Sequence, residues 1–400
     1  MSIASSLTLP PLSLYIHIPW CAKKCPYCDF NSHVNNTQLA LPEAAYVASL
    51  KADLIQELES KHFIQGSSKG SIQGRKLHSI FFGGGTPSLF SANAIADILN
   101  TAEKKIGFEK NIEITLEANP GTFEQQKFYD FYHAGINRLS IGIQSFQENQ
   151  LKKLGRIHNK DEAKQAILIA KKAGFTNINV DLMHGLPQQS VDAALADLNT
   201  AIALEPQHIS WYQLTIEPNT VFYRQPPPLP VDDILADIQA AGLQQLAQQA
   251  YKQYEVSAFS QPQRQSKHNL NYWQFGDYIG IGAGAHGKWT DTHHQRIIRR
   301  QKTRLPEHYM NQDRLTRYKE SVIDQDELPL EFLMNTLRLI NGVPIQYFQE
   351  RTGLPLSTIQ PTLEKWVSQG LLEQYSKKLK TTSLGKQFLN TLLSQLLENQ

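Results

Sequence analysis

Short apolar runs alternate with amphipathic stretches through the first half of the chain. The runs are SLYIHIPW (13–20), HSIFFGGG (78–85), NIEITLEANP (111–120), RLSIGIQSF (138–146), NINVDLMHGLP (177–187) and HISWYQLTIEP (208–218). Most are rich in Ile, Leu, Phe and Val, as strands buried on both faces should be. Between them, PEAAYVASLKADLIQELES (42–60), SANAIADILNTAEKKIG (91–107) and KDEAKQAILIAKKAG (160–174) carry a helical period. The last ends on Lys171, Lys172 and Gly174, a basic final turn followed by the residue best suited to a helix stop. Six β-then-α units in series predict parallel strands with right-handed crossovers. A partial TIM-type barrel and a doubly wound sheet both satisfy that pattern.

The second half is less regular. Residues 61–76 (KHFIQGSSKGSIQGRK) are polar and rich in Gly and Ser, so they read as a loose loop. QPPPLP (225–230) is a stiff extended connector ahead of a Gln/Ala-rich helix at 231–250. A strand-like run at 254–260, then HNLNYW (268–273), then the Gly-rich GDYIGIGAGAHG (276–287) follow. From about residue 325 come three short helical patterns, a basic hairpin and a last helix, an arrangement that resembles a winged helix.

Composition narrows the function classes. With 39 basic and 37 acidic residues the net charge is +2, which gives no electrostatic case for nucleic acid or an anionic membrane as partner. The local basic run from Arg296 to Arg304 reads as a solvated face. No apolar run approaches the roughly 18 residues that span a bilayer. The first residues lack a basic n-region and run straight into a strand, so no secretory signal is expected.

All three cysteines of the chain fall within eight positions, in WCAKKCPYCDF. An odd, clustered set argues against disulfides and for a metal site in a reducing compartment, here the cytoplasm. The spacing is C-x₃-C-x₂-C, at Cys21, Cys25 and Cys28. Zinc sites usually have four protein ligands in paired halves, and here His33 or His17 would have to be the fourth. Three close thiolates instead suit a cubane [4Fe–4S] cluster, ligating three irons and leaving one open.

C-x₃-C-x₂-C just after a first strand resembles the signature of radical S-adenosylmethionine (SAM) proteins. The wider wording is similar to the oxygen-independent coproporphyrinogen III oxidase group: YIHIPWCAKKCPYCDF, FFGGGTPS (81–88), TLEANP (115–120), GIQSF (142–146), Arg156 and DLMHGLP (181–187). The resemblance covers roughly residues 13–290. It implies an α/β fold, a partial (β/α)₆ TIM-type radical SAM barrel with a small α-rich winged-helix-like C-terminal domain. The expected division is 1–224 for the barrel core, 225–324 for a barrel-closing extension with HNLNYW, and 325–400 for the C-terminal domain. It also implies SAM contacts by Tyr15, Gly84, Gly85, Thr86, Glu117, Gln144, Arg156 and Asp181. Their chemistry suits that role, since carboxylates accept from ribose hydroxyls or an amine, and arginine pairs with a carboxylate. The glycine run lets backbone approach a ligand and would offer free N–H and C=O groups.

Two features depart from the oxidases. Phe30 stands where they carry a further cysteine two residues after the third ligand, and only about a dozen residues precede the first strand. In addition, H-N-x-x-Y-W at 268–273 resembles the mark of the related haem chaperones. That resemblance implies haem as cargo, an acceptor haemoprotein as partner, and an electron donor such as flavodoxin or ferredoxin. His268 is the natural candidate for the iron ligand, a neutral imidazole being a standard axial donor, with Tyr272 and Trp273 against the porphyrin. His286 reads as a satisfied histidine in a Gly-rich turn. The leading expectation is therefore a haem-binding radical SAM protein that acts as a haem chaperone. Beside it stand an oxygen-independent coproporphyrinogen III dehydrogenase and a structural zinc protein.

Overall fold

Six parallel strands form the centre of the computed structural model, which describes residues 7–34, 40–59, 74–311 and 318–397. They are β1 (Leu12–Ile18), β2 (Leu77–Gly84), β3 (Phe108–Ala118), β4 (Arg138–Gln144), β5 (Ile178–His184) and β6 (His208–Gln213). Each pairs in parallel with the next in chain order. The crossovers contain α1 (Glu43–Glu59), α2 (Ala92–Lys105), α3 (Phe128–His133), α4 (Lys160–Lys172) and α5 (Val191–Ala203). The start of α4 is set by a capping box, in which the Asn159 side chain and the Glu162 carboxylate each accept from the other's backbone N–H. Most of the loop expected at 61–76 lies outside the described residues.

The strands are buried on both faces, but only one face is apolar. Leu14, Ile80 and Ile114 share a register row, as do Ile16, Phe82, Leu116 and Leu139. Together they pack with the helices into the main hydrophobic core. The rows between them are polar: Ser13–Ser79–Glu113, and Glu117–Ser140–Asn179–His208. The runs are buried on both faces, as expected, but alternate with period two between apolar and polar side chains. The inner face of the barrel is a polar lumen.

The sheet continues beyond the six strands on both sides, to twelve strands in all. After α6 (Asp232–Gln248), the hairpin β7 (Lys252–Glu255) and β8 (Ala258–Ser260) adds antiparallel to β6; this replaces the single strand expected at 254–260. Next, α7 (Lys267–Trp273) contains the HNLNYW segment, and β9 (Asp277–Ile281) pairs in parallel with β1. An antiparallel run of β10 (His286–Asp291), β11 (Arg296–Lys302) and β12 (Tyr318–Val322) completes that edge. Among the described residues the edges at β7 and β12 are not paired with each other, so the barrel is partial. The C-terminal part packs α8 (Leu328–Thr336), α9 (Gln346–Thr352), α10 (Gln360–Ser368) and α11 (Leu389–Leu397) around a second core. A short antiparallel pairing of Val343–Pro344 with Lys378–Leu379 supplies the wing-like element.

The basic run on β11 is not a solvated face. Arg300 and Lys302 are buried against α1, where Lys302 donates to both Asp53 and Glu57. Arg300 donates to Glu57 at 2.6 Å and to Glu320, and the Tyr309 hydroxyl donates to Asp53 at 2.6 Å. Opposite charges from α1 and β11 thus meet out of water and fix the added strands to the barrel. Removing one partner from such a cluster strands a buried charge. Lys302→Met is accordingly expected to destabilise the protein by about 3–5 kcal/mol, read as a lowered denaturant midpoint. A midpoint unchanged from the parent would mean that the cluster is not holding the added strands.

Candidate functional site

The cysteine loop begins where β1 ends. Trp20–Cys21 pairs in parallel with His33–Val34, and Trp20 is wedged edge-on against Tyr46 at 4.7 Å between ring centroids. Within the loop the Cys28 N–H donates to the Cys25 carbonyl at 3.1 Å, and Lys24 reaches the carbonyls of Phe30 and Ser32. Asn31 fastens the far end by donating to the carbonyls of Ala283 and Arg304, both at 2.9 Å. The Gly-rich segment after β9 is therefore built around the cysteine loop: a Cβ on Gly284 would lie 2.3 Å from Asn31 Nδ2.

Gly84 and Gly85 are required by the protein itself. A Cβ on Gly84 (φ 114°) would fall 2.5 Å from the His17 ring, and one on Gly85 would fall 2.5 Å from the Trp20 carbonyl oxygen. Their N–H groups are not free, contrary to the sequence expectation. Gly84 donates to Glu117 at 3.2 Å, while Gly85 and Thr86 donate to the Ile18 and Trp20 carbonyls, both at 2.7 Å. The glycine run locks β2 to the base of the cysteine loop.

Cys21, Cys25 and Cys28 are free thiols lining one cavity of about 320 Å³. Gly84, Gly85, Thr86, Glu117, Gln144, Arg156 and Asp181 line the same cavity. Arg156 donates to Asn119 Oδ1 and the Gly142 carbonyl, both at 2.7 Å, and lies 3.5 Å from Cys25 Sγ. Its Nε and the Gln144 Oε1 are buried with no hydrogen-bond partner among the described residues. Gln144 is also held in the left-handed backbone region (φ 65°), a conformation that side chains other than glycine adopt at a cost. Asp181 accepts from Asn179 and Ser140, and burial pushes its carboxyl above the ordinary value.

A second cavity, of about 630 Å³, adjoins the first: Phe30, Gly84 and Glu117 line both. Tyr15 lines this one rather than the cysteine cavity. Its other walls include Tyr272, Trp273, Phe275 and Tyr278, the cations Lys288, Arg299 and Arg304, and Met334 and Asn335 from α8.

His268 is not in either wall. It is 1 % exposed, stacked on Phe81 at 5.1 Å, and both ring nitrogens are engaged. Nδ1 meets Ser79 Oγ and Nε2 meets the Tyr272 hydroxyl, each at 3.0 Å. Burial pushes its pKa down to about 3, so the imidazole is neutral, yet neither nitrogen reaches the cavity. His286 also departs from expectation. It is exposed in the larger cavity, and no hydrogen bond engages its ring among the described residues.

Sequence reading did not single out Asn119, Ser140, Ser210 or Tyr212, which line the cysteine cavity. The signal was present: in HISWYQ, Ser210 and Tyr212 alternate with Ile209 and Trp211, the same period two that separates lumen from core. Asn119, next to the apolar end of β3, donates to Thr86 at 3.1 Å while it holds Arg156.

Glu117 carries the site's clearest titration. Burial first, and then the charge of Asp181, push its carboxyl up to about 8 from 4.5, against the Gly84 N–H. Between those values the native state keeps a proton that the unfolded chain releases. The contribution is thus complete below pH 4.5 and lost as pH rises through 8. Without ligand, the wild-type protein should lose thermal stability relative to Glu117→Gln as pH rises from about 5 to 8. Parallel melting curves for the two proteins would show that Glu117 is ionised throughout.

The chain matches the radical SAM superfamily over residues 15–201 and the HemN C-terminal domain over residues 323–388. It is 51% identical over 392 residues to the heme chaperone HemW of Haemophilus influenzae, covering 98% of this chain and 99% of that one. To the heme chaperone HemW of Escherichia coli it is 49% identical over 391 residues, covering 97% and 99%. The bovine (Bos taurus) mitochondrial radical S-adenosyl methionine domain-containing protein 1 is 33% identical, with 96% and 87% covered. Among solved structures, coproporphyrinogen III oxidase (HemN) from Escherichia coli superposes with a TM-score of 0.77 at 20% identity, over 97% of this chain and 90% of that one. That likeness is one of fold.

Proposed function

The chain belongs to the radical SAM superfamily and, within it, to the family of proteins named heme chaperone HemW; from that premise we propose that it binds haem and hands it to an acceptor haemoprotein. One observation carries this reading. The cavity that gathers the three cysteines meets a larger aromatic and cationic cavity at Phe30, Gly84 and Glu117. The first is of a size for a cofactor and the second for a macrocycle.

In the proposed site Cys21, Cys25 and Cys28 hold a [4Fe–4S] cluster. Their thiols fit it: all three are free and share one cavity beside the Arg156 guanidinium. A mononuclear zinc site fits less well: among the described residues no three His, Cys, Asp or Glu side chains are grouped to hold a single metal ion. Both nitrogens of His17 are taken up by Tyr15 and Asn31, although His33 Nε2 is unpartnered among the described residues. When bound, such a cluster supplies an electron and, at the iron left open by three thiolates, a coordination position for SAM. Gln144, with its unpartnered Oε1, would accept a donor from SAM. Glu117 and Asp181 would accept from its amine or ribose hydroxyls, and a protonated amine beside Glu117 would favour the carboxylate, so that the Glu117 proton leaves to solvent. Arg156, fastened to Asn119 and Gly142, would offset the negative charge gathered around the cysteines. Gly84, Gly85 and Thr86 would shape the wall, and Tyr15 would approach from the adjoining cavity. On this reading the protein works in the cytoplasm, with a flavodoxin or ferredoxin as electron donor. Among the described residues no helix is long and apolar enough to cross a membrane.

Anaerobic reconstitution with iron and sulfide should load about four irons per chain, and Cys25→Ser should lose the cluster's charge-transfer absorption. Adding haem to the wild-type protein should shift the Soret band, whereas coproporphyrinogen supplied with SAM and a reductant should yield no protoporphyrinogen. Turnover of coproporphyrinogen, or a haem spectrum identical to free haem in buffer, would overturn the carrier reading.

A further inference from the structure

The larger cavity offers an iron ligand that the HNLNYW segment does not. Two histidines line it, His17 and His286. His17 has both ring nitrogens committed, Nδ1 to the Tyr15 hydroxyl and Nε2 to the Asn31 carbonyl, each at 2.9 Å. His286 has neither committed among the described residues, and its side chain is exposed to the cavity. We propose, building on the carrier reading above, that haem occupies this cavity with His286 as its axial ligand and its propionates on Arg299 and Arg304.

The backbone of His286 is rigidly placed. It opens β10, and a Cβ on Gly280 would come within 1.9 Å of its carbonyl oxygen, so the two strands touch at that point. A ligand on rigid strand backbone is held better than one on a loop. The anion partners sit next to it. Arg299 and Arg304 both line the cavity. Arg299 is anchored to Glu331 while its Nε has no partner, and the Arg304 side chain has no hydrogen bond or ion pair among the described residues. Guanidinium groups pair with carboxylates: that of Arg304 is unengaged among the described residues, and Arg299, although one terminal nitrogen is on Glu331, keeps an unpartnered Nε.

The HNLNYW segment then acts through its aromatic end. Tyr272 is held by His268 Nε2 at 3.0 Å and packs edge-on against Tyr278 at 4.4 Å. Trp273 is backed by Arg338 at 4.3 Å, and its indole N–H is buried with no partner, inside the cavity wall. These rings would flank the macrocycle. His268 is a positioning residue for Tyr272.

The test titrates untagged full-length protein with ferric haem and reads the axial ligand by electron paramagnetic resonance and resonance Raman. Wild type should show histidine ligation. His286→Ala should lose that signature and bind roughly tenfold or more weakly, and external imidazole should restore the spectrum. His286→Tyr should replace it with phenolate ligation, a change that a merely structural role would not produce. Arg304→Ala should weaken binding without moving the spectrum. His268→Ala should keep the histidine signature. If wild type fails to bind haem, the carrier reading itself fails. If wild type binds but His286→Ala and His286→Tyr leave the signature unchanged, or if the signature disappears in His268→Ala, only this assignment is overturned.

Discussion

A polar surface sealed inside the barrel must find its partners inside the barrel, and much of the rest of the structure answers that constraint. Period-two alternation turns Ser13, Ser79, Glu113, Arg138, Asn179 and His208 inward, all of them buried. An unpaired buried charge is very costly, and an unpaired amide or hydroxyl costs far less but still opposes folding. The segments after β6 supply the missing groups. Glu113 accepts from the His268 N–H and the Ser266 hydroxyl, at 3.2 and 3.5 Å, and lies 4.0 Å from Arg138. Asn271 donates to Ser13 at 2.9 Å, and the Tyr254 hydroxyl meets His208 at 2.8 Å. The hairpin β7–β8 and the helix α7 are thus held by the needs of the lumen as much as by apolar packing.

That satisfaction is incomplete at both ends of the barrel. Toward the α7 end Glu113, Ser13 and His208 find partners, while Arg138 Nε and Asn271 Oδ1 have no hydrogen-bond partner among the described residues. Toward the cysteine loop, Gln144 Oε1 and Arg156 Nε have none among the described residues, and burial first, then the charge of Asp181, push the Glu117 carboxyl up to about 8. The unpartnered groups at the cysteine end line the cavity that the three cysteines share. The constraint that makes the fold therefore also makes the site.

The six strand–helix units and the cysteine triplet were legible because each is written within a short window. The runs announce their strands locally, and WCAKKCPYCDF holds its ligand types within eight positions. What was not legible depends on distant partners. Arg300 and Lys302 look like surface charges until Asp53 and Glu57, some 240 residues away, are brought beneath them. His268 looks like a ligand because the segment pairs it with Tyr and Trp. Nothing local shows that Ser79, 189 residues away, takes one of its nitrogens. His286 was misjudged for the converse reason: a Gly-rich turn suggests a satisfied ring, but here the glycines serve Asn31, His17 and the strand contact instead.

The two cavities also differ in what encloses them. The cysteine cavity is drawn from the loop after β1 and the ends of β2–β6. The larger cavity lies between two hydrophobic cores. On β11, Ile298 belongs to the barrel core and Ile297 to the C-terminal one. The C-terminal helices complete its wall through a few contacts: Glu331 on Arg299, Arg338 over Trp273, and Phe332 edge-on to Phe275 at 5.6 Å. A boundary between two cores can open at lower cost than either core can be breached. At the seam stands Phe30, 62 % exposed, where a cysteine would have offered a ligand and a phenyl ring offers none. A group held in the barrel end would be enclosed by the barrel alone, whereas one at the boundary would be released as the two cores part.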